Sequence, residues 1–280
     1  MRKIEFFKMN GSGNDFILID NREHVVENIG LKTEEFVKRI CKRGLSIGAD
    51  GVILIENTDE PDCDFAWQFY NSDGSIASMC GNGSRCAVRF AYLKGIISDT
   101  KTTFLTGAGK IYGEIVGINT VKVQLTRPTD YKTVELDNQT MYFINTGVPH
   151  LVIFVDDIEA VDVAKLGAKY RYHEIFAPAG TNVNFVKVLD DNTITIRTYE
   201  RGVEAETLAC GTGATASSLI SGLTNKAISP VEVRTRSGKI LKVYFQIKDA
   251  KSSEPIDMVF LEGDSMLSFV GTMIDEAWDY

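Results

Sequence analysis

Two cysteines share one local pattern, each standing directly before a Gly-x-Gly sequence at the start of a predicted helix. They are Cys80, in Cys-Gly-Asn-Gly, and Cys210, in Cys-Gly-Thr-Gly. The first backbone N–H groups of a helix have no partner within the helix, and the helix dipole is positive at that end. We expect a thiol placed there to have a pKa lowered toward the physiological range, so that it can take up and release a proton.

The backbone that follows each cysteine is a candidate carboxylate-binding site. Exposed N–H groups at a helix start bind anions, and glycine lets a ligand approach the backbone closely. The candidate groups are the backbone N–H groups of Gly81, Asn82, Gly211 and Thr212. One such motif alone is weak evidence, because cysteine is often a small buried residue and glycine often only marks a turn.

An internal repeat makes the pair of motifs more informative. The segment FYNSDGSIASMCGNGSRCA, which contains Cys80, resembles TYERGVEAETLACGTGATA, which contains Cys210, about 130 residues later. Upstream, GSGNDFILID and TGVPHLVIFVDD also match. Two similar domains with one thiol each can place an acid and a base on opposite faces of one carbon, which is what inversion of a stereocentre requires. The two groups of N–H donors would stabilise the negative charge on the carboxylate as the carbanion forms.

Three polar residues gain interest from their positions in the repeat. His150 begins a predicted strand and corresponds to a position near Asn14 in the first half. Glu200 and Arg201 follow a predicted strand at the position that matches Asn71 in the first half. A histidine at a strand start is commonly structural, and neighbouring opposite charges are commonly solvated, so only the repeat argues for a role in the site.

The other cysteines show neither a metal-binding nor a disulfide pattern. Cys86 follows Cys80 by six residues and faces another side of the helix, so the two are a poor zinc pair. Cys41 and Cys63 have no partner pattern, and we expect them to be core or surface thiols. The odd total of five cysteines and a start without a signal-like apolar stretch favour free thiols in a reducing cytoplasm.

Composition and charge favour a globular protein with a small ligand. Of the 280 residues, 44% are hydrophobic and 24% charged, which is enough apolar material for a full core. The formal net charge of -8 disfavours a nucleic-acid or anionic-membrane surface, and no apolar run is long enough to span a bilayer. Glycine-rich phosphate-binding signatures are also absent, and we expect a small soluble ligand.

The elements that must position these residues predict an α+β fold. Short β-rich runs recur along the chain, and helices are predicted over residues 33–43, 81–94, 163–170 and 211–221. The second and fourth helices carry few charges and should be mostly buried. We therefore expect two pseudo-symmetric domains, each a curved mixed β-sheet around a central helix, with the active site in the cleft between them. The first would be residues 1–127, with the tail 269–280 packing back on it, and the second 128–268, joined by a linker over residues 127–140.

At these motifs the chain resembles the diaminopimelate epimerase family. The matching stretches span almost the whole length in order: KMNGSGNDFILID, SIGADGV, FYNSDGSIASMCGNGSRCA, VPH, GTNVNFVKV, YERGVEAETLACGTGA and VRTRSGKILKV. The resemblance implies a homodimer of two-domain chains that converts LL-diaminopimelate to the meso form, for lysine and peptidoglycan synthesis, without pyridoxal phosphate or metal.

The resemblance also implies roles for single residues. Cys80 and Cys210 would be the catalytic thiols, and His150 and Glu200 would be polar partners near the reacting amino group. The substrate would be lined by Asn14, Asn71, Asn82, Asn182 and Arg201, together with the backbone of Gly81, Gly211 and Thr212.

Two departures from the family pattern bear on the substrate rather than on the reaction. Val148 stands where many members have asparagine, and Gly51 where some have glutamine. Another pyridoxal-independent racemase, of the proline or hydroxyproline type, is the main alternative, although Arg201 and the asparagines imply a second charged head group on the ligand. A redox or metal-binding protein is disfavoured, because the chain has no Cys-x-x-Cys and that function would leave the two glycine motifs unexplained.

Overall fold

The computed structural model describes residues 1–249, 252 and 254–280. Its strands are β1 (Lys3–Gly11), β2 (Asn14–Asp20), β3 (Gly51–Glu56), β4 (Phe65–Asn71), β5 (Ile76–Ala77), β6 (Lys101–Thr106), β7 (Gly109–Ile115), β8 (Thr120–Gln124), β9 (Thr129–Leu136), β10 (Gln139–Asn145), β11 (Pro149–Phe154), β12 (Asn182–Asp190), β13 (Thr193–Glu200), β14 (Ala205–Thr207), β15 (Val231–Arg234), β16 (Ile240–Ile247), β17 (Ile256–Asp264) and β18 (Met266–Ile274). Its α-helices are α1 (Thr33–Ile40), α2 (Gly81–Leu93), α3 (Val163–Arg171) and α4 (Gly211–Leu223). Among the described helices, none has both the length and the apolar character needed to cross a membrane.

The chain divides into two compact units with the same strand connectivity. The first comprises Met1–Val123 and Gly263–Tyr280, and the second Gln124–Glu262. In the first unit, β2 is parallel to β3, β3 is antiparallel to β4, and β4 is parallel to β6. In the second unit, β11 is parallel to β12, β12 is antiparallel to β13, and β13 is parallel to β15. The repeat in the sequence is therefore a repeat of topology.

Each unit holds one helix that is largely enclosed by its sheet. Nine of the thirteen residues of α2 are buried, and the helix contacts β1, β2, β3 and β7. Eleven of the thirteen residues of α4 are buried, and that helix contacts β10, β11, β12, β13, β15 and β16. The predicted α+β class, with two similar units of mixed sheet around a helix, is confirmed.

Three hydroxyl groups of the buried helix α4, those of Thr215, Ser218 and Ser221, bond to the helix's own backbone. Thr215 Oγ1 donates to Gly211 O at 2.9 Å, and Ser218 Oγ donates to Ala214 O at 2.9 Å. Ser-to-carbonyl bonds of this kind, four residues back along the helix, satisfy a polar group without any partner from outside. These three hydroxyl groups therefore add little to the cost of burying the helix, whereas the buried Ser217 Oγ has no partner among the described residues.

Helix α2 buries a charged side chain instead. Arg85 has 0% of its surface exposed, and burial of a charge is tolerated only where hydrogen bonds replace the lost water. Its guanidinium donates to Asp264 O at 3.1 Å, to Ser12 Oγ at 2.8 Å and to Asn82 Oδ1 at 2.8 Å. Arg85 therefore joins the first turn of α2 to the β1–β2 turn and to the end of β17.

The predicted linker over residues 127–140 is wrong, because most of it is strand. Strand β9 pairs antiparallel with β10, although Val134 is its only buried residue. A strand with one solvated face and few buried side chains carries a weak apolar pattern, so its sequence looks like that of a loop.

Candidate active site

The thiol of Cys80 lies at the start of α2, as the sequence predicts. Its backbone is extended, with φ −150° and ψ 114°, so Cys80 is the residue that caps the helix. The N–H of Gly83 donates to Cys80 Sγ at 3.3 Å, and the backbone of Asn82 also approaches the sulfur. The N–H groups expected to bind a carboxylate are thus partly directed at the thiol itself.

The thiol of Cys210 occupies the same position on α4. Its backbone is also extended, with φ −132° and ψ 110°, and its Sγ lies 3.4 Å from Thr212 Oγ1. The backbone of Thr212 and Gly213 approaches the sulfur as well. The second glycine of this motif is needed for packing, because a Cβ at Gly213 would collide with Asn184 Oδ1.

The expected lowering of the thiol pKa values is wrong in direction. Burial raises the pKa of Cys80, and the opposing effects of the Gly83 N–H and the Arg85 charge are smaller. Burial raises the pKa of Cys210 to about 12, and the Glu200 carboxylate adds to the increase. Loss of water outweighs the helix-start effect because a thiolate is a charge that must be desolvated. Both pKa values are therefore shifted toward the thiol form, and a proton must leave one of the two groups before it can act as a base.

Two asparagines of the first unit belong to a directed chain of hydrogen bonds. Arg85 Nη2 donates to Asn82 Oδ1 at 2.8 Å, and Asn82 Nδ2 donates to Asn14 Oδ1 at 2.7 Å. Asn14 Nδ2 then donates to Asp50 Oδ2 at 3.2 Å, while Arg43 Nη2 donates to Asp50 Oδ1 at 2.8 Å. Since arginine only donates and carboxylate only accepts, the orientation of both amides is determined. Each amide keeps one N–H that this chain does not use.

Sequence reasoning missed three members of this chain. Asp50 lies within the SIGADGV stretch, and Arg43 lies just before it. Arg85 is one of only two charged residues in the α2 sequence. An arginine in a helix with only one other charged residue is the signal that could have identified Arg85, because burial of such a helix requires partners for the charge.

Asn71 lies at the end of β4, paired in register with Gly51. The side chain is exposed, and its Nδ2 donates to Ser75 Oγ at 3.0 Å within the following turn. Gly51 has no room for a side chain here, since a Cβ would lie 2.6 Å from Tyr70 O and 2.7 Å from the Phe69 ring. A glutamine at this position would therefore require the local backbone to shift.

In the second unit, Asn182 connects two of the predicted site segments. Its Nδ2 donates to Pro149 O at 2.9 Å, and its Oδ1 accepts from the backbone N–H of Arg201 at 2.8 Å. The Arg201 guanidinium is partly exposed and donates to Ala179 O at 3.2 Å. Asn182 thus holds the end of β13 beside the start of β11, where His150 lies.

Glu200 and His150 both have pKa values shifted toward the neutral form. Burial raises the pKa of Glu200. Burial also lowers the pKa of His150 to about 3, and the positive charge of Arg201 acts in the same direction. His150 is fully buried, and its Nε2 has no hydrogen-bond partner among the described residues. The structure thus brings His150, Asn182 and Arg201 together around one end of the second unit.

We expect acid to destabilise the folded protein through His150. The unfolded imidazole takes up a proton below pH 6.5, whereas the folded one does so only near pH 3. Because the pKa of the folded state is depressed, the contribution of His150 to the free energy of unfolding is fully present above pH 6.5. Below pH 6.5 this contribution falls by about 1.4 kcal/mol per pH unit. Denaturant unfolding between about pH 7 and 5 measures this slope, and a His150→Gln variant should show a shallower one. Equal slopes would contradict a neutral buried imidazole.

No group of three or more histidine, cysteine or acidic side chains suited to a metal ion occurs within residues 1–249, 252 and 254–280. All five cysteines of the chain are free thiols.

Comparison with known proteins gives a consistent result over nearly the whole length. The family model described as "Diaminopimelate epimerase" matches residues 6–130 and 142–260. A protein of Aquifex aeolicus (strain VF5) named diaminopimelate epimerase is 50% identical, with 99% of this chain and 100% of that protein covered. A second, from Hydrogenobaculum sp. (strain Y04AAS1), is 47% identical over 95% of this chain and 97% of its own length.

Solved structures support the fold at much lower sequence identity. A Bacillus anthracis phenazine biosynthesis protein of the PhzF family has a TM-score of 0.71 at 16% identity, covering 98% of this chain and 100% of its own. A probable proline racemase from Agrobacterium radiobacter K84 has a TM-score of 0.68 at 16% identity, covering 99% and 94%. At this level of identity the likeness concerns the fold.

Proposed function

We propose that this chain, which belongs to the diaminopimelate epimerase family, converts LL-2,6-diaminopimelate to the meso form by inverting one α-carbon. The observation that carries the proposal is the duplicated thiol: Cys80 and Cys210 cap equivalent enclosed helices in two units of the same topology. The similarity to named epimerases at 47 to 50% identity supports the same reaction.

In the proposed mechanism, one thiol acts as the base and the other as the acid on opposite faces of the substrate carbon. Both groups rest protonated, because burial raises both pKa values. Release of one thiol proton to solvent as the substrate binds leaves one thiolate and one thiol, which is the pair that two-base inversion requires. The backbone N–H groups of Gly81, Asn82, Gly211 and Thr212 would stabilise the carboxylate charge as the carbanion forms.

The remaining candidate residues bind and orient the substrate in this proposal. Glu200 would accept from the substrate ammonium, and His150 would lie near the same reacting carbon. The other binding groups would be Asn14, Asn71, Asn82, Asn182 and Arg201. The fixed amide orientations of Asn14 and Asn82 support this assignment, because an oriented donor binds a carboxylate without further ordering.

Arg201 distinguishes this substrate from that of the alternative enzyme. We propose that its guanidinium binds the distal carboxylate, because planar guanidinium geometry matches a carboxylate. The substrate of a proline or hydroxyproline racemase has no distal carboxylate for Arg201 to bind. That alternative rests on likeness of fold at 16% identity.

We further propose a homodimer in a reducing cytoplasm that works without pyridoxal phosphate or metal. The five free thiols support the compartment, and the homodimer and the cofactor-free reaction are what the resemblance to the family implies. Light scattering of the purified protein measures the oligomeric state.

The test is epimerisation in deuterium oxide by reduced, chelator-treated protein. If separate thiols remove and deliver the proton, the incoming hydrogen always comes from solvent. At low conversion we expect one deuterium at the inverted carbon of essentially every meso molecule, with almost none in recovered LL-substrate. Chiral separation and mass spectrometry measure both fractions. Absence of conversion would refute the function, and substantial protium in the product would refute the two-thiol mechanism.

A further inference from the structure

Asn184, in β12, makes three hydrogen bonds that determine the orientation of its side-chain amide. The residue is fully buried, and its Nδ2 lies 3.1 Å from Leu151 O and 3.0 Å from His150 Nδ1. Its Oδ1 accepts from Thr198 Oγ1 at 2.9 Å. A backbone carbonyl can only accept, so the atom that faces Leu151 O must be the amide nitrogen. The two N–H groups of Asn184 are therefore used by Leu151 O and His150 Nδ1.

This arrangement specifies the tautomer of His150. Because Nδ1 accepts from Asn184, it carries no hydrogen, and the neutral ring must carry its hydrogen on Nε2. A cationic ring would direct a second N–H at the N–H of Asn184, so the contact opposes protonation. The N–H at Nε2 is buried and has no acceptor among the described residues.

An unpartnered buried donor is costly, and such groups in native proteins call for an explanation. Here the donor belongs to a residue beside Arg201, whose positive charge acts on the ring. The positive charge of Arg201 and the Nε2–H donor together favour the binding of an electron-rich atom at this position, and they disfavour the binding of an ammonium group.

We propose that Asn184 is a positioning residue that holds His150 as a neutral Nε2–H donor, and that this N–H binds an acceptor atom of the substrate. The acceptor is a carboxylate oxygen or an unprotonated amine nitrogen. His150 then acts neither as a general base nor as a partner of an ammonium group. The identity of the substrate rests on the function proposed above, whereas the tautomer does not.

The packing of α4 against Asn184 links this contact to the Cys210 thiol. A Cβ at Gly213 would collide with Asn184 Oδ1. The Cys-Gly-Thr-Gly turn therefore packs directly against the amide that orients His150. Asn184 thus contacts both the imidazole and the first turn of the thiol-bearing helix.

Nitrogen NMR of protein labelled with ¹⁵N-histidine tests the tautomer directly in the free enzyme. The chain has only three histidines, and the His150 signals are those missing from a His150→Gln variant. We expect a protonated Nε2 and an unprotonated Nδ1 throughout the mildly acid to neutral range. A hydrogen on Nδ1, or an ordinary histidine titration, would overturn the proposal whether or not the protein proves to be an epimerase.

The Asn184→Asp variant should reverse the contact, because a carboxylate accepts from Nδ1–H. We expect the His150 hydrogen to move to Nδ1 or the ring to become cationic, with kcat/KM reduced about tenfold to hundredfold. Asn192→Asp is the matched control, since Asn192 also donates to backbone carbonyls of the second unit, at Ile228 and Pro230. Its His150 spectrum should equal that of the wild type. An unchanged His150 spectrum in a folded Asn184→Asp variant would contradict the positioning role, and if that variant does not fold, the wild-type spectrum decides.

Two ligands identify the acceptor atom. Pimelate has both carboxylates of diaminopimelate and no amino groups. A shift of the His150 Nε2–H signal with pimelate and with LL-diaminopimelate identifies a carboxylate oxygen. A shift with LL-diaminopimelate alone identifies the amine nitrogen, and binding of both without any shift would contradict a substrate contact at His150. If the tautomer is as proposed but no epimerisation occurs, the proposed function fails and the Asn184–His150 assignment stands.

Discussion

Cys80→Ala and Cys210→Ala are each expected to reduce kcat/KM for epimerisation by about 10²- to 10⁴-fold or more, the range for loss of a general acid or base. Each substitution leaves one thiol, which can serve one face of the substrate carbon but not both. Chiral chromatography of the reaction mixture gives the rates. Circular dichroism and thermal unfolding show whether each variant remains folded.

Cys63→Ala is the matched control for these two variants. Cys63 is a partly exposed thiol outside the two helix-start motifs, and burial raises its pKa as well. Its replacement should leave turnover within about twofold of the wild type, since substitutions away from the site have small effects. Near-wild-type activity of Cys80→Ala or Cys210→Ala would rule out paired thiols as the acid and the base.

Glu200→Gln is expected to have the second-largest effect, and it should alter both activity and the titration of Cys210. The substitution removes a carboxylate proposed to bind the substrate ammonium, so we expect kcat/KM to fall about tenfold to hundredfold. The same carboxylate raises the pKa of Cys210, so its removal should move the thiol titration to lower pH. The titration of Cys210 is the difference in thiolate absorbance between proteins with and without Cys210→Ala. Comparing this difference in the wild-type and Glu200→Gln backgrounds gives the shift in pKa.

A second glutamate of the same unit separates this effect from a general change of charge. Glu232 forms a surface ion pair with Lys242 at 3.2 Å, and Glu232→Gln removes one negative charge without touching the candidate site. We expect it to leave both activity and the Cys210 titration unchanged. If Glu200→Gln raised the pKa of Cys210 or left it unchanged, the electrostatic relation between the two residues would be wrong.

The sequence by itself determined the repeat and the helices that carry the two thiols. The predicted helix over residues 81–94 is α2 at Gly81–Leu93, and that over residues 211–221 is α4 at Gly211–Leu223. The helices can be predicted because their signals are local: a cap residue followed by glycine and then by a run of small apolar residues, all within a short stretch of sequence. The repeat added the relation between Cys80 and Cys210, which no single motif carries.

Only the tertiary structure decided the protonation state of the site. The helix-start pattern predicted lowered thiol pKa values, but burial raises them, and the number of neighbours that exclude water cannot be read from a local pattern. The His150 tautomer likewise depends on Asn184, which is 34 residues distant along the chain and is brought to Nδ1 by the parallel pairing of β11 and β12. The same reason applies to Arg85 and Asp50, because Asp264 and Ser12, which accept from Arg85, and Asn14, which donates to Asp50, lie outside the element of the residue they contact.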